Sequence, residues 1–403
     1  MDQFTFYRTP NLQFGCGSLS EVPAILHRLG WRKIALFAGS HSFKNTPHYN
    51  NFTGFCEQQS ISVEEFTPSG EPSPDFIDNA AALLKQDKPH AVIAVGGGSV
   101  IDTGKAVSAM IKHEKPVKTY LEGVGSEKPT GDKVPFIAVP TTAGTGSEAS
   151  KNAVISEIGP DGFKKSLRHD NFVPDIAVID PELATSCPAS VTAASGLDAI
   201  TQILEGYVST KSSPMTDSLS VGALKAAGRS FEKAVTDGKN LEARADMAYA
   251  AYISGVVLAN AGLGVVHGIA GPIGGLHPVP HGVVCGTLIG EATRMVIDKL
   301  FKTGDEGFPA LRKYAEAATY LRAMDKSNDK TTDKAADRGN IKEKCSLLIE
   351  TLNSWVDTYE IPRLSEYGIE EQHLSGIAEL SGLKNTPVDL SRQEIITILK
   401  KRL

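Results

Sequence analysis

The chain is 403 residues long, 41% hydrophobic and 22% charged, with a formal net charge of −6. Such a length fits two domains, each able to bury a sizeable core. The mildly acidic balance argues against a nucleic-acid or anionic-membrane partner. The cysteines Cys16, Cys56, Cys187, Cys285 and Cys345 stand far apart with no CxxC pair, which suits thiols in a reducing compartment better than a disulfide framework. The opening MDQFTFY lacks a basic region and an apolar run, so the expectation is a cytoplasmic chain without a secretory signal.

In chain order, residues 33–38 (KIALFA) read as a strand ending at Gly39 and Ser40, and 61–66 (ISVEEF) as a second strand. A helix is expected over 74–86. Residues 90–95 (HAVIAV), 134–139 (VPFIAV) and 175–179 (DIAVI) are near-continuous apolar runs, as strands buried on both faces of a parallel sheet require. Strands alternating with helices imply such a sheet with covered faces. Beyond Pro181, β-branched runs become scarce and Ala-rich helical stretches follow at 193–209, 218–227 and 241–259. The boundary falls near residue 187, giving an α/β domain over 1–187 and an all-helical domain over 188–403.

From Met247 to Gly290 there is no Asp, Glu, Lys or Arg, long enough on paper to span a bilayer. The segment also holds ten glycines, three prolines, Asn260, His267, His277 and His281. A buried core helix followed by a functional turn suits it better than lipid, where polar groups are costly, so no membrane partner is expected. Residues 325–340 (DKSNDKTTDKAADRGN) read as a solvated loop or insertion.

The strand at 90–95 runs into Gly96-Gly97-Gly98-Ser99 and then a helical pattern. Glycines there let backbone N–H groups approach a ligand closely, and the helix N-terminus offers unpaired donors to a pyrophosphate. The spacing is not GxGxxG, and a tight turn that binds nothing is the alternative. A second loop, Pro140 to Glu148, follows another strand and is rich in hydroxyls suited to a ribose and nicotinamide. Two loops at the carboxyl ends of parallel strands mark the crevice where ligands settle in open sheets.

In the helical half, Asp198 and Gln202 stand at i and i+4 on one helix face. His267, His277 and His281 follow within the uncharged segment. A carboxylate and two imidazoles among apolar neighbours suit a catalytic divalent cation, though histidines satisfied within a core are the commoner outcome.

Seven segments then acquire a common meaning: GGGSVIDTGKA at 96–106, PTTAGTGSEAS at 140–150, PDIAVIDPEL at 174–183, ASGLDAITQILE at 194–205, HGIAGPIGGLHPVPHG at 267–282, IPRLSEYGI at 361–369 and NTPVDLSRQEI at 385–395. In order, and over nearly the whole chain, they resemble the iron-containing (group III) alcohol dehydrogenases. The resemblance implies a Rossmann-like parallel-sheet domain, a helical domain of the dehydroquinate synthase-like architecture, and an active site in the cleft between them. It implies NAD or NADP, with Fe2+ or Zn2+, and hydride transfer to or from an alcohol or aldehyde. Carried over, Gly97, Gly98 and Ser99 meet the pyrophosphate, with Asp102 on the same helix. Thr141, Thr142 and Thr145 line the nucleotide, and Lys164 reaches the ribose. Asp198, His267 and His281 match three of four metal ligands, and a homodimer is the expected assembly.

Three positions depart from the family. The fourth ligand, usually histidine, is Gln202, a weaker amide-oxygen donor retained here as a ligand candidate. Four residues after His267, many members carry a histidine where this chain has Gly271; His277 is an extra histidine, read as a proton relay or substrate contact. The acid that NAD-selective members often carry after the first strand is replaced by Gly39-Ser40-His41, so the 2′-phosphate of NADP is not repelled and Ser40 can hydrogen-bond to it. Alternatives on the same fold are a sugar-phosphate lyase, a protein that only binds nucleotide, and an oxidase-like enzyme of the 3-deoxy-octulosonate 8-oxidase type. The last would hold a sugar acid through Lys164, Lys165, Arg168 and His169.

Overall fold

In a computed structural model that describes residues 3–39, 43–322 and 338–403, the chain divides into two units. They are Tyr7–Cys187 and Pro188–Leu403, the latter taking in residues 3–6. Ser40, His41 and most of the charged tract at 325–340 lie outside the described residues.

The first unit is built on β1 (Asn11–Phe14), β2 (Lys33–Ala38), β3 (Ser62–Phe66), β4 (Ala91–Gly96), β5 (Phe136–Pro140) and β8 (Ile176–Ile179). These six strands form one sheet in the order β1-β8-β5-β4-β2-β3, every pair parallel. Strand side chains alternate between faces, so Ala35 and Phe37 of β2 point one way and Ile34 and Leu36 the other. The first face is covered by α3 (Pro74–Asp87) and α4 (Gly98–Met110), through Ile77, Leu84, Ile101 and Val107. The opposite face is covered by α1 (Val22–Arg28) and α2 (Pro47–Gln58), through Val22, Leu26 and Phe52. Burial on both faces explains why these strands read as unbroken apolar runs rather than alternating ones.

Local chemistry sets the helix starts. Ser73 accepts the Phe76 N–H ahead of α3, and Pro74 takes the first helical position, where a missing N–H costs nothing. Because β3 lies on one side of β2 and β4 on the other, the strand order reverses at the β2/β4 boundary. Gly39 follows β2 and Gly97 follows β4, so both stand at the carboxyl edge where doubly wound sheets take ligands. A two-stranded antiparallel hairpin, β6 (Asn152–Glu157) with β7 (Phe163–Arg168), was not expected: Lys164, Lys165 and Arg168 break the apolar pattern that marks a buried strand.

The second unit is helical, with α5 (Ala189–Tyr207), α6 (Pro214–Thr236), α7 (Leu241–Ala261), α8 (Val265–Leu276), α9 (His281–Lys302), α10 (Phe308–Leu321), α11 (Arg338–Thr358), α12 (Glu371–Leu380) and α13 (Arg392–Lys401). α5 packs against α6, α7 and α9. The uncharged segment differs from the single helix and turn expected for it: it supplies the end of α7, all of α8 and the first turns of α9. Gly262, at φ +72°, breaks the chain so that α7 and α8 meet at 99°. A side chain at Gly262 would also run into Asn385, so glycine is required there twice over. Pro278 and Pro280 separate α8 from α9. Among the described residues no single helix is long and apolar enough to cross a membrane.

Candidate functional site

In the helical unit, three elements bring four donors together. Asp198 comes from the middle of α5, His267 from the first turn of α8, and His281 and Cys285 from successive turns of α9. Their ligating atoms all lie within 4.8 Å of one another. The Nε2 of His267 is 3.3 Å from Asp198 Oδ1, and that of His281 is 3.8 Å from the same oxygen. The two imidazoles are 5.5 Å apart at their centroids.

The surroundings make the arrangement costly without a cation. Asp198 is 1% exposed, and among the described residues neither of its carboxylate oxygens has a hydrogen-bond partner. A buried carboxylate left in that state needs a positive neighbour to be tolerated. Burial pushes the Asp198 carboxyl up, but His281 and His267 outweigh it and bring the group down to about 2. His267 is held well above its ordinary value, because Cys285, Asp198 and Glu205 together overcome burial. The cluster thus carries enough negative potential to hold positive charge. Its carboxylate, imidazole and thiol donors are those that iron and zinc accept.

Glu205, not singled out from the sequence, orders this site. It lies on α5 one turn past Gln202, so Asp198, Gln202 and Glu205 share a helix face at i, i+4 and i+7. Its Oε2 is 2.7 Å from His267 Nδ1 and accepts the Gly264 N–H, while Oε1 accepts the Val266 N–H. One carboxylate therefore closes the start of α8 and fixes the His267 ring. The i, i+4, i+7 spacing of these three residues on one helix was the sequence signal for it. Gly268 sits beside this histidine because the Gly382 carbonyl packs where a side chain would stand.

Gln202, the fourth ligand expected from the resemblance, is buried, with its amide oxygen 3.5 Å from the Ser254 hydroxyl. His277 ends α8, and its ring lies 5.1 Å from that of His373 on α12. Burial and the neighbouring His373 both lower its pKa.

In the sheet unit the two loops are tied edge to edge. The Thr141 N–H donates to the Gly96 carbonyl, joining the ends of β5 and β4. A Cβ at Gly98 would stand 2.6 Å from the Thr145 side chain, and one at Gly97 3.5 Å from the Thr142 hydroxyl. Glycine at 98 is what lets the loops meet. Thr141 is buried and its hydroxyl has no hydrogen-bond partner among the described residues. Ser99 lies in the first turn of α4, where backbone N–H groups have no intrahelical acceptor.

Asp102 is buried on α4, where it accepts the Ser147 hydroxyl and the Val154 N–H and stands 3.6 Å from Lys105 Nζ. Lys105 in turn donates to the Ser147, Ser150 and Asn152 carbonyls. Together they bind α4 to the hydroxyl-rich loop. Gly39 is half-buried at the end of β2. Lys164 on β7 pairs with Glu71 at 2.9 Å, and Arg168 with Glu122 at 3.2 Å.

Sequence comparison places these features among known proteins. Residues 9–181 match the family model described as iron-containing alcohol dehydrogenase, and residues 192–403 its C-terminal counterpart. Alcohol dehydrogenase 4 of Saccharomyces cerevisiae is 30% identical over 406 residues, covering 98% of this chain and 97% of its own. Long-chain-alcohol dehydrogenase 1 of Geobacillus thermodenitrificans is 35% identical over 274 residues, 68% of each chain. A solved structure of 1,3-propanediol oxidoreductase superposes with a TM-score of 0.86 at 26% identity, covering 100% of both chains.

Proposed function

We infer the working parts from one premise: the chain belongs to the iron-containing alcohol dehydrogenase family. It is a metal-dependent oxidoreductase that transfers hydride between NAD(P) and an alcohol or aldehyde. In this reading Asp198, His267 and His281 hold the divalent ion. The observation that carries it is the buried Asp198 carboxylate, whose oxygens have no hydrogen-bond partner among the described residues and stand 3.3 and 3.8 Å from two imidazoles. When bound, the ion supplies a Lewis acid for the substrate oxygen.

The chain's own groups do the rest. With the ion bound, Glu205 would hold the His267 proton on Nδ1 and leave Nε2 to the metal. Gly97, Gly98 and Ser99 offer N–H groups to the pyrophosphate. The Thr141 hydroxyl, with Thr142 and Thr145, takes the nucleotide beyond it. Asp102 acts through the loop it anchors, and Lys164, neutralised by Glu71, donates to a ribose hydroxyl. Gly39 carries no carboxylate to repel the 2′-phosphate of NADP. His277, kept neutral by burial and by His373, accepts the proton that an alcohol releases on oxidation.

A neutral alcohol or aldehyde fits better than a sugar acid, because Lys164 and Arg168 are already paired with carboxylates. A homodimer is supported by β1, an outer strand of the sheet that leaves Leu12 and Phe14 exposed. No disulfide joins the cysteines, which supports a cytoplasmic setting. The test is elemental analysis of the purified protein with NAD(P)H absorbance over a panel of alcohols and aldehydes, before and after chelation. Turnover that tracks bound metal is the expected result; undiminished turnover after complete chelation overturns the reading.

A further inference from the structure

We propose that Cys285, as a thiolate, is the fourth protein ligand of the metal, and that Gln202 is not a ligand. The proposal rests on the assignment of Asp198, His267 and His281 to the metal. Cys285 is fully buried on α9, one turn beyond His281, so both side chains leave the same helix face. Its Sγ lies 3.6 Å from His267 Nε2 and 3.7 Å from His281 Nε2.

These separations are those of a coordination polyhedron. Bonds of about 2.0–2.1 Å to nitrogen or oxygen and about 2.3 Å to sulfur, set at tetrahedral angles, place N and O donors about 3.4 Å apart and S and N donors about 3.6 Å apart. In this site the N···O separations are 3.3 and 3.8 Å, and the S···N separations 3.6 and 3.7 Å. Four of the six separations thus match those of a tetrahedral site, and all four ligand atoms lie within 4.8 Å of one another.

With Cys285 as a thiolate and Asp198 as a carboxylate, two negative charges meet the divalent cation directly, and the Glu205 carboxylate stands behind His267. On binding, the Cys285 S–H bond breaks, a metal–sulfur bond forms, and the proton passes to solvent. A thiolate also makes the site softer, favouring zinc or cobalt over iron.

The test uses the whole chain, stripped by chelator and titrated with Co2+. Wild type should take up one Co2+ per chain and show an intense near-ultraviolet thiolate-to-cobalt band, with proton release seen as buffer-dependent binding heat. Cys285→Ser should lose the band and bind Co2+ roughly tenfold or more weakly, at least the loss seen when an outer-shell partner is removed. Gln202→Ala should keep the band. Bound Co2+ without the band in wild type, which needs no variant to fold, overturns the proposal while leaving the metal assignment standing. So does a band that survives in Cys285→Ser, or Co2+ retained by Cys285→Ser and lost by Gln202→Ala. No Co2+ uptake by wild type overturns the metal assignment itself, and this proposal with it.

Discussion

The carboxylate of Glu205 lies 2.7 Å from the Nδ1 of His267, and the same group accepts the N–H of Gly264 and of Val266. Orientation of a candidate ligand and closure of a helix start thus depend on one side chain. Glu205→Ala should weaken metal binding by about 10- to 100-fold, the range for loss of such a partner. It should also destabilise the fold by about 1–3 kcal/mol for each buried N–H left without an acceptor. Glu205→Gln, which keeps an oxygen for those N–H groups, should recover stability more fully than metal affinity. Chelator competition and thermal unfolding measure the two effects separately. If alanine left both unchanged, the role assigned to Glu205 would be wrong.

His267→Ala and His281→Ala should each lose bound metal and turnover while keeping the far-ultraviolet dichroism of the wild type. Metal content by elemental analysis is the primary readout. Wild-type activity in either variant under full chelation would sink the assignment of these imidazoles.

Gly98 faces Thr145 at a separation that leaves no room for a methyl group. Gly98→Ala should therefore force the loops at the ends of β4 and β5 apart, at about 1–3 kcal/mol. The dissociation constant for NAD(P), read by nicotinamide fluorescence, should rise accordingly. Adding Thr145→Ala should restore stability in part by giving back the space. Failure of the double variant to regain stability would show that the two residues are not in the opposition the geometry implies.

Glu148, fully buried in the hydroxyl-rich loop, has its carboxyl pushed up by burial from 4.5 to about 7, with Lys105 only partly offsetting that. Below pH 4.5 the group is protonated whether the chain is folded or not, and it adds no pH dependence. Between 4.5 and about 7 the unfolded chain gives up its proton while the folded chain keeps it, so stability falls as pH rises. The melting temperature of wild type relative to Glu148→Gln should therefore decline across that window and level off above it. A difference that is flat, or that grows with pH, contradicts the assigned shift.

NADP should serve at least as well as NAD, because Gly39 at the end of β2 presents no carboxylate to the 2′-phosphate. Comparison of kcat/KM for the two cofactors decides it. A hundredfold preference for NAD, ~2.7 kcal/mol of discrimination, would show that this strand end has been misread.

By itself the sequence determined what depends on local pattern. The apolar runs of β2, β4, β5 and β8 could be read because strands buried on both faces must be apolar throughout. Asp198, His267 and His281 stood out because a carboxylate and imidazoles among apolar neighbours need a partner. Tertiary structure decided what depends on elements distant in the chain. The β6–β7 hairpin was hidden because Lys164 and Arg168 face acids supplied from elsewhere, Glu71 and Glu122. Glu205 looked like one more helix residue until α8 brought Gly264, Val266 and His267 to its oxygens. Cys285 counted only as one of several separate thiols; its place beside His267 arises because α8 packs on α9, a contact that no spacing along the chain encodes.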